Sequence, residues 1–368
     1  MELLQDPFGG YAAAFGAEDL ASREMKEAIA RWRRLYEGRG EGERDHCLRL
    51  AYTVVRKLSR AVFAEYRALG SLGELPHREA MELAMVAGES YLKPIPGESL
   101  RWLCVDRGNI LVFGRDLLGE PTDVGLTEKR LLGRHYFTLL ERRRLRDGAL
   151  TVENRLFRSS NLRELGREVP LNAHPAYAEL PRKVTVESPG GLGLVRLRMP
   201  MHNCVDGSRE GVSVYAAAAD LMDAAAENEF QMKQEFRNGA SRLVVSRDML
   251  SAGQLKDSVF VALDESPETV GITVFSPQLR EQSYLNRQQA YLRSVENVLG
   301  LKRGLLSQVE AVDRTATEIT NSEGEYMTAI LELREAWEKT AREAVKLRAA
   351  LTGEEYQDPQ FRWGDGVV

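Results

Sequence analysis

Two short stretches of this sequence carry residue types that could perform chemistry. His202, Asn203 and Cys204 are consecutive and combine a base with a nucleophile, but adjacent side chains on an extended segment rarely point to a common centre. The run Ser188-Pro-Gly-Gly-Leu-Gly resembles a phosphate-binding loop only superficially, because it lacks the lysine of GxxxxGK[ST] and indicates a turn between strands. The sequence therefore predicts neither an enzyme nor an ATPase motor.

The histidines and cysteines indicate no metal centre and no cofactor. Cys47, Cys104 and Cys204 are isolated residues without CxxC spacing, so neither a zinc knuckle nor a disulfide framework is predicted, and we interpret them as packing residues. The histidines are scattered and form no HExxH or HxH pair: they are His46, His77, His135, His174 and His202.

Length and composition predict a folded chain of two or three structural units. The chain has 368 residues, 43% of them hydrophobic and 29% charged. Its formal net charge of −5 disfavours tight binding to phosphates. The sequence contains no run of about 18 apolar residues, the length needed to span a bilayer, and its beginning, MELLQDPFGG, is unlike a signal peptide. We therefore expect soluble, intracellular synthesis without membrane contact.

The elements that must position any site begin with two helices. Apolar residues at Met25, Ile29, Trp32 and Tyr36 share one helical face and predict a helix over residues 21–38. The same spacing predicts a second, antiparallel helix over residues 47–69. From residue 86 to 199 short β-prone runs alternate with turns, which predicts a sheet-rich region with strands at 101–105, 110–113, 136–140, 149–156 and 194–197. The predicted class is α+β.

A basic cluster lies beside a predicted hairpin turn at Asp147-Gly148. It consists of Arg142, Arg143, Arg144 and Arg146. One interpretation is a solvated strand edge protected by charge; the other is a contact with DNA or an acidic partner.

An alanine-rich helix is predicted over residues 213–236, ended by Asn238-Gly239. Three β-prone runs follow at 242–246, 259–263 and 270–275, the last two joined by the turn sequence DESPET. A second helix, 277–300, should begin with Pro277 in its first turn and carries leucine every seventh residue. Helices with such small and apolar faces need neighbours on more than one side.

The remaining chain predicts a loop and one long helix. Residues 301–314 have no clear period, and Thr315 with Glu318 fits a capping box that starts a helix up to Gly353. The end PQFRWGDGVV is typical of a strand entering a turn.

Four blocks in this order resemble the portal proteins of tailed bacteriophages, in particular those of Listeria and Bacillus siphophages. The blocks are MKEAIARWRRLYEG; RLRMPMHNCVDGSREGVSVYAAAADLMDAAAENEFQMKQEFRNGASRLVVSRDML; VFSPQLREQSYLNRQQAYLRSVENVLGLKRG; and TATEITNSEGEYMTAILELREAWEKT. The resemblance covers most of the chain. The family usually continues beyond the strand that PQFRWGDGVV matches into a helical crown, so we expect a truncated or minimal crown, and the family's GTF-type loop residues are missing.

The resemblance implies a portal fold: a mixed wing domain, two stem helices, a small α/β clip, a tunnel loop and a long helix. The boundaries are 1–212 for the wing, 213–237 and 277–299 for the stem helices, 238–276 for the clip, 300–314 for the tunnel loop, 315–353 for the long helix and 354–368 for the tail. Family portals are rings, normally of twelve copies, seated at one capsid vertex. Their partners are the major capsid protein, the terminase, head-tail connector proteins and the double-stranded DNA that passes through during packaging and ejection.

The resemblance also assigns the candidate site residues. For the tunnel loop they are Lys302, Arg303, Gln308 and Arg314; for stem packing Ala218, Ala225, Leu285, Leu292 and Leu299; for the clip Arg242, Val244, Phe260 and Val274. The loop residues could contact DNA transiently, or be solvated or form intersubunit ion pairs. An alternative function is a cytosolic scaffold that uses the long helix as a coiled coil without any channel.

Overall fold

A computed structural model of the chain is α+β. It describes residues 10–38, 48–95, 97, 99–187, 191–239, 242–246, 260–263, 273–275, 278–308 and 316–364. The helices in these ranges are α1 Gly10–Phe15, α2 Arg23–Glu37, α3 Leu50–Val62, α4 His77–Ala87, α5 Ala219–Asn238, α6 Glu281–Val298 and α7 Ala316–Thr352. The strands are β1 Glu89–Ile95, β2 Arg101–Asp106, β3 Ile110–Arg115, β4 Pro121–Leu132, β5 His135–Arg146, β6 Ala149–Ser159, β7 Arg167–Val169, β8 Lys183–Glu187, β9 Val195–Arg198, β10 Arg242–Ser246, β11 Phe260–Leu263 and β12 Thr273–Phe275.

The chain divides into two compact units. The first unit comprises residues 1–38, 49–219 and 314–368, and the second comprises 39–48 and 220–313. These units divide the chain at 219/220 and 313/314, whereas the predicted stem begins at 213 and the predicted tunnel loop ends at 314. The long helix α7 belongs to the first unit.

The predicted helical pair at the beginning of the chain is present as α2 and α3. Ser22 caps α2 by accepting a hydrogen bond from the Met25 amide, and Gly38 ends it in the left-handed conformation at φ 67°. The second helix ends at Val62, earlier than the predicted Leu69. The backbone of Glu65 is left-handed at φ 54°, which does not continue a right-handed helix.

The larger sheet of the first unit is antiparallel and runs β3-β4-β5-β6-β7, with β8 also paired to β6. The predicted turn at Asp147-Gly148 is confirmed: both residues have positive φ, and Arg146 pairs with Ala149 across the hairpin. Positive φ at both central residues of a two-residue turn matches the twist of the flanking strands, which is why this sequence forms a hairpin.

The basic cluster lies on β5, an internal strand, so its interpretation as a solvated strand edge is wrong. Arg142 and Arg144 both pair with the Asp123 carboxylate on β4 at 2.8 and 3.0 Å. Arg143 is buried and pairs with Glu141 at 2.6 Å. Three of the four arginines are therefore used within the sheet.

The smaller sheet of the first unit has the order β2-β1-β9, with both pairs antiparallel. Helix α4, which periodicity did not single out, buries Ala80, Met81, Ala84 and Met85. A core of buried residues joins the two sheets: Tyr91, Val105, Ile110, Val112, Val124, Leu126, Leu150 and Leu192.

Helix α7 and the segment after it form one structure in the first unit. The predicted capping residue Thr315 lies outside the described residues, and the helix begins at Ala316 and runs for 37 residues. Its apolar side includes the fully buried Trp337. After Gly353 the chain turns back along the helix, where Trp363 Nε1 donates to Glu338 at 2.7 Å and the Arg362 carbonyl accepts from the Arg67 amide at 3.2 Å.

The returning segment corrects the interpretation of the tail as a strand entering an unfinished turn. Arg342 lies over the Phe361 ring at 4.9 Å and Lys346 over the Tyr356 ring at 5.5 Å. Trp363 stacks on Phe63 at 6.0 Å between centroids. Residues 354–364 therefore form a strap that is held along α7 by aromatic and cation–π contacts.

In the second unit, a three-stranded sheet lies between α5 and α6 along the sequence. Its strand order is β11-β10-β12. The three predicted β-runs are present, but β11 and β12 do not pair with each other as a hairpin. Instead β10 is central, parallel to β11 and antiparallel to β12. The DESPET turn sequence lies outside the described residues.

The two helices predicted as stem helices begin later than predicted, at Ala219 and Glu281. Residues Ser213 and Tyr215 precede the helix because their side chains bond to other backbone: Ser213 Oγ donates to the Met85 carbonyl at 2.9 Å and Tyr215 OH to the Trp32 carbonyl at 2.7 Å. A 3₁₀ turn, Ala216–Ala218, then leads into α5. Residues 278–280 are not helical and α6 begins at Glu281; the predicted first-turn Pro277 lies outside the described residues.

Candidate functional site

The candidate site is the antiparallel pair α5 and α6 with the loop that follows, which lies in the second unit from Asp220 onwards. Two polar contacts join the helices. Asn228 Nδ2 on α5 donates to the Tyr284 carbonyl at 3.1 Å and to Gln288 Oε1 at 2.9 Å. Two turns further along α5, Glu235 pairs at 2.7 Å with Arg280, the residue that precedes α6. Residues later in α5 contact partners that come earlier in the sequence around α6, so the two helices run antiparallel.

The Glu235–Arg280 pair is charge-assisted and multiply bonded. Both carboxylate oxygens accept from the Arg280 guanidinium, and one also accepts from the Arg280 amide at 2.7 Å. These hydrogen bonds lower the pKa of Glu235 to about 2. The pair fixes the position at which the chain enters α6, although solvent around it limits its contribution to stability.

The predicted stem-packing alanines are covered by the chain itself. Ala225 has an exposed fraction of 0%, and Ala218, which belongs to the first unit, is also fully buried. The described residues of α5 that are buried after Ala218 and Ala219 are Met222, Ala225 and Asn228. The small side chains therefore serve close packing within one chain, and bulky replacements there would disturb folding as well as any assembly.

The predicted leucines of α6 are covered less completely. Leu285 is 41% exposed, whereas Leu292 and Leu299 are half-buried. Val298 on the same helix and Phe236 on α5 are exposed as well. Single exposed apolar side chains are common on protein surfaces, so these exposures by themselves do not define an interface.

An acidic stripe on α5 was not identified from the sequence. Asp220, Asp223 and Glu227 are exposed and follow one another at a spacing of three and four residues, so they share one helical face. The spacing was readable in the sequence, but which face of the helix is solvated depends on the burial of Met222 and Ala225 against their surroundings.

The loop after α6 is held by a buried glutamate. Glu296 has an exposed fraction of 0%, and its Oε1 accepts from the Ser307 amide at 2.9 Å while Oε2 accepts from Ser307 Oγ at 2.7 Å. The Leu306 amide donates to the same Oε1. Two turns earlier on α6, Gln289 Oε1 accepts from the Gln308 amide at 2.8 Å. The loop consequently folds back along about the last three turns of α6.

A tight turn presents the basic loop residues. The Leu305 amide donates to the Lys302 carbonyl at 3.1 Å, and Gly304 has φ 88°, as the third position of a type II turn requires. Arg303 is exposed at this turn and Lys302 is half-buried. Of the other predicted loop residues, Gln308 is exposed and Arg314 lies outside the described residues.

The predicted clip residues all lie on the small sheet. Leu243 is paired with both Phe260 and Val274, and Val244 faces Val261 and Thr273. Arg242 is paired with Phe275 at the end of β10. The four predicted positions therefore sit on adjacent strands of one sheet.

In the first unit, the segment before α5 is held by a buried ion network. Glu89 accepts from the Gly211 amide at 2.7 Å and pairs with Arg196 at 3.3 Å, and Glu210 pairs with Arg107 at 2.9 Å. Burial alone would raise the pKa of Glu89, but Arg196, Arg107 and the Gly211 amide hold it below its ordinary value. The carboxylate stays ionised and fixes the backbone at Gly211.

The triplet His202, Asn203 and Cys204, which combines a base with a nucleophile in the sequence, lies in a loop that Asn203 holds together. The Asn203 side chain is buried and organises its own loop: Oδ1 accepts from the Val205 amide at 2.8 Å, and Nδ2 donates to Asp206 and Ser208. Cys204 is exposed. Within the described residues no group of three or more His, Cys, Asp or Glu side chains is arranged to hold a metal ion.

Comparisons with known proteins add no relative. No protein-family model matches this chain, and no curated protein gives a significant match. Across the described residues, every helix falls short of the combined length and apolarity that a bilayer crossing needs. Function is therefore inferred from the residues and geometry of the chain itself.

Proposed function

We propose that this chain is a phage portal protein that assembles into a ring, of twelve copies by its resemblance to that family, at one vertex of a capsid. The ring would serve as the channel for DNA packaging and ejection. It would contact the major capsid protein and dock the terminase and then the head-tail connector. The protein would thus reside in the virion after synthesis in a bacterial host.

One observation carries this proposal. Along the chain, the first helix of an antiparallel pair is followed by a small three-stranded sheet and then by the second helix. The loop that comes next folds back onto the second helix through Glu296. This is the order of stem, clip, stem and tunnel loop in the family that the sequence resembles. The later starts of α5 and α6 shorten the proposed stem helices without changing that order.

The charges support a channel for a polyanion. DNA that must slide should meet few strong phosphate contacts, because each neutralised phosphate adds to the affinity. The acidic stripe Asp220, Asp223 and Glu227 and the net charge of −5 favour repulsion over binding. In the proposed channel, Arg303 and Gln308 would be the exposed loop residues capable of transient backbone contact.

The alternative of a coiled-coil scaffold built on α7 is less favoured. The apolar side of α7 is already covered within the first unit, with Ile330, Trp337, Ala341 and Ala344 fully buried. A coiled coil needs such a face to be free for a second helix. Leu331 and Leu351 are exposed on α7, but they are twenty residues apart.

The test is the assembly state of the full-length protein. Size-exclusion chromatography with light scattering, followed by negative-stain imaging, should give rings with a central hole. Leu285→Asp should reduce ring formation because it places a charge on the uncovered face of α6, whereas Leu351→Asp, at a similarly exposed leucine of α7, should not. Rods, dimers or a monomer at every concentration would refute the proposed function.

A further inference from the structure

A cleft lies between the two sheets of the first unit. Lys93 of β1 is paired with Leu103 of β2, so both side chains lie on the same face of the smaller sheet and line the cleft from that side. Leu126 of β4 and Leu139 of β5 line it from the larger sheet. Its volume is about 300 Å³, the space of about ten water molecules in the liquid. Here the term inter-sheet cleft denotes the space lined by these side chains.

Charged side chains also line the inter-sheet cleft. They are Arg33, Lys93, Lys129, Arg130, Glu128 and Glu141. Four of the six are cations and two are carboxylates. The partner of each charge decides which sign of charge a bound molecule meets there.

Two of the cations are neutralised by carboxylates of their own. Arg33 pairs with the Asp106 carboxylate at 2.5 Å. Arg130 pairs with Glu128 on the same strand. Neither pair has a net charge, so neither favours a ligand of one sign.

Lys129 brings a positive charge close to the cleft without a counterion. Within the described residues its ammonium donates to the Leu162 and Glu164 carbonyls and pairs with no carboxylate. Burial lowers the pKa of Lys129 to about 8, so the charged form still predominates at pH 7. Side chains alternate along β4, so Lys129 lies on the face opposite to Leu126 and acts on the cleft by its charge and not by direct contact.

The remaining charges form a group of three around Glu141, which is 5% exposed. Its Oε1 accepts from Arg143 Nε at 2.6 Å, and its Oε2 accepts from the Lys93 ammonium. Burial alone would raise the pKa of Glu141, but Arg143 and Lys93 hold it below its ordinary value. One ionised carboxylate therefore faces two cations, and the group keeps one positive charge.

The Lys93 ammonium presents this charge to the cleft. Arg143 directs its other donors to the Leu192 and Gly193 carbonyls at 3.1 and 2.7 Å. Lys93 has three N–H donors, and across the described ranges Glu141 is the acceptor that its ammonium finds. The Lys93 side chain is 12% exposed, so an acceptor on a bound molecule would offset the cost of its poorly solvated donors.

We propose that the inter-sheet cleft binds a small apolar monoanion, with its carboxylate head on Lys93 and its alkyl or aromatic body against Leu103, Leu126 and Leu139. An anion is favoured because both lining carboxylates already have cations, whereas the positive charge is in excess. Apolar walls with a few polar groups are typical of small-molecule sites. The site goes beyond the proposed function, since it lies within the first unit of one chain and needs no ring.

The first test compares three probes on the full-length protein by ligand-observed NMR titration. Hexanoate has both an anionic head and an apolar body, hexan-1-ol lacks the charge, and acetate lacks the body. Hexanoate should bind saturably with a Kd of about 1 mM or tighter. Hexan-1-ol and acetate should each bind at least about tenfold more weakly.

The second test removes the ammonium. Lys93→Met keeps an unbranched apolar side chain, and Glu141 keeps its contact with Arg143, so the fold should hold, as checked by melting temperature and circular dichroism. Hexanoate should bind at least about tenfold more weakly to this variant. Hexan-1-ol should bind with an affinity within about twofold of that for wild type.

The third test needs no buried substitution, so it decides the matter even if Lys93→Met unfolds. Leu103 is 41% exposed, and Leu103→Asp places a carboxylate where it should repel the anion and weaken hexanoate binding at least about tenfold. The matched control is Leu131→Asp, at a 59% exposed leucine of β4 that does not line the cleft. It should leave hexanoate binding unchanged.

The opposite results would overturn the inference. They are hexanoate binding that survives Lys93→Met or Leu103→Asp, equal affinities for hexanoate and hexan-1-ol or for hexanoate and acetate, and no saturable hexanoate binding up to about 10 mM. Ring formation is a separate measurement. Wild-type protein that binds hexanoate but never forms rings would refute the proposed function alone, and rings that bind no hexanoate would overturn the cleft alone.

Discussion

Replacing Glu296 tests whether one buried carboxylate holds the loop after α6. In Glu296→Ala, three hydrogen bonds from Leu306 and Ser307 lose their acceptor. The Ser307 amide and hydroxyl, which are buried, would then lack a partner unless the loop opens to water. We therefore expect the loop to detach from the helix while α6 itself stays folded.

The magnitude follows from the number of bonds. A typical hydrogen bond contributes about 1 kcal/mol net, so three together stabilise the folded-back loop by about 3 kcal/mol. That free energy corresponds to about a 100-fold change in the opening equilibrium. Glu296→Gln is the conservative variant, because its carbonyl oxygen still accepts from both amides and its NH₂ group can donate to Ser307 Oγ; opening should rise less than about tenfold.

The assay is amide hydrogen exchange across residues 301–308, measured by mass spectrometry on wild type and variants in the same assembly state. Exposure of Lys302 and Arg303 to trypsin gives an independent readout, since cleavage requires the loop to open. Glu281→Ala, at an exposed glutamate in the first turn of the same helix, controls for a general effect of losing a carboxylate. Exchange and cleavage at wild-type rates in Glu296→Ala would refute the role assigned to this residue.

Three further predictions concern the first unit. Gly211→Ala places a Cβ 2.2 Å from the Gly88 carbonyl oxygen, so the free energy of unfolding in denaturant titration should fall by about 3 kcal/mol or more, whereas Gly133→Ala, with open space around it, should cost about 1 kcal/mol for its positive φ alone. Trp363→Ala should lower the free energy of unfolding by about 2 kcal/mol and make residues 354–364 susceptible to protease, because the strap loses its aromatic anchor. Glu89 has a lowered pKa in the folded chain, so its carboxylate contributes stability above its ordinary pKa of 4.5, and that contribution is lost as the pH falls towards the lowered value; Glu89→Gln should flatten the acid side of the stability profile.

Each of these predictions has an outcome that contradicts it. If Gly211→Ala and Gly133→Ala lowered the free energy of unfolding equally, the backbone near Gly88 would accommodate the added Cβ without a measurable loss of stability. If Trp363→Ala left the protease cleavage pattern unchanged, contacts other than those of Trp363 would hold the strap. For Glu89→Gln, a pH profile parallel to that of wild type would show that the buried network does not control acid stability.

Periodicity predicted most elements whose burial pattern is regular. The face with Met25, Ile29 and Trp32 identified α2, and the long apolar spacing identified α7. Helix α4 was missed because it is buried on several sides, and β1 because its burial is nearly continuous rather than alternating. Turn residues predicted the structure correctly where the turn requires one particular backbone conformation, as at Asp147-Gly148.

The candidate site was only partly predictable. The positions of α5, the small sheet, α6 and the loop after it followed from small residues, β-prone runs and glycines, and these local signals depend on neighbours in the chain. Glu296 gave no distinct signal, since a glutamate on a helix is ordinarily solvated. Its role arises because the loop returns to the helix and supplies three donors, which is a long-range arrangement.

By itself the sequence determined the α+β class, the order of helix, small sheet, helix, loop and long helix, and the absence of a phosphate-binding motif. These depend on residue type, spacing and local backbone preference. Only the tertiary structure decided that the arginines of β5 are paired within a sheet, that the strap lies along α7, and that Lys93 and Arg143 share the buried Glu141 carboxylate. Burial and pairing are set by which distant segments meet, and a one-dimensional pattern carries that information only weakly.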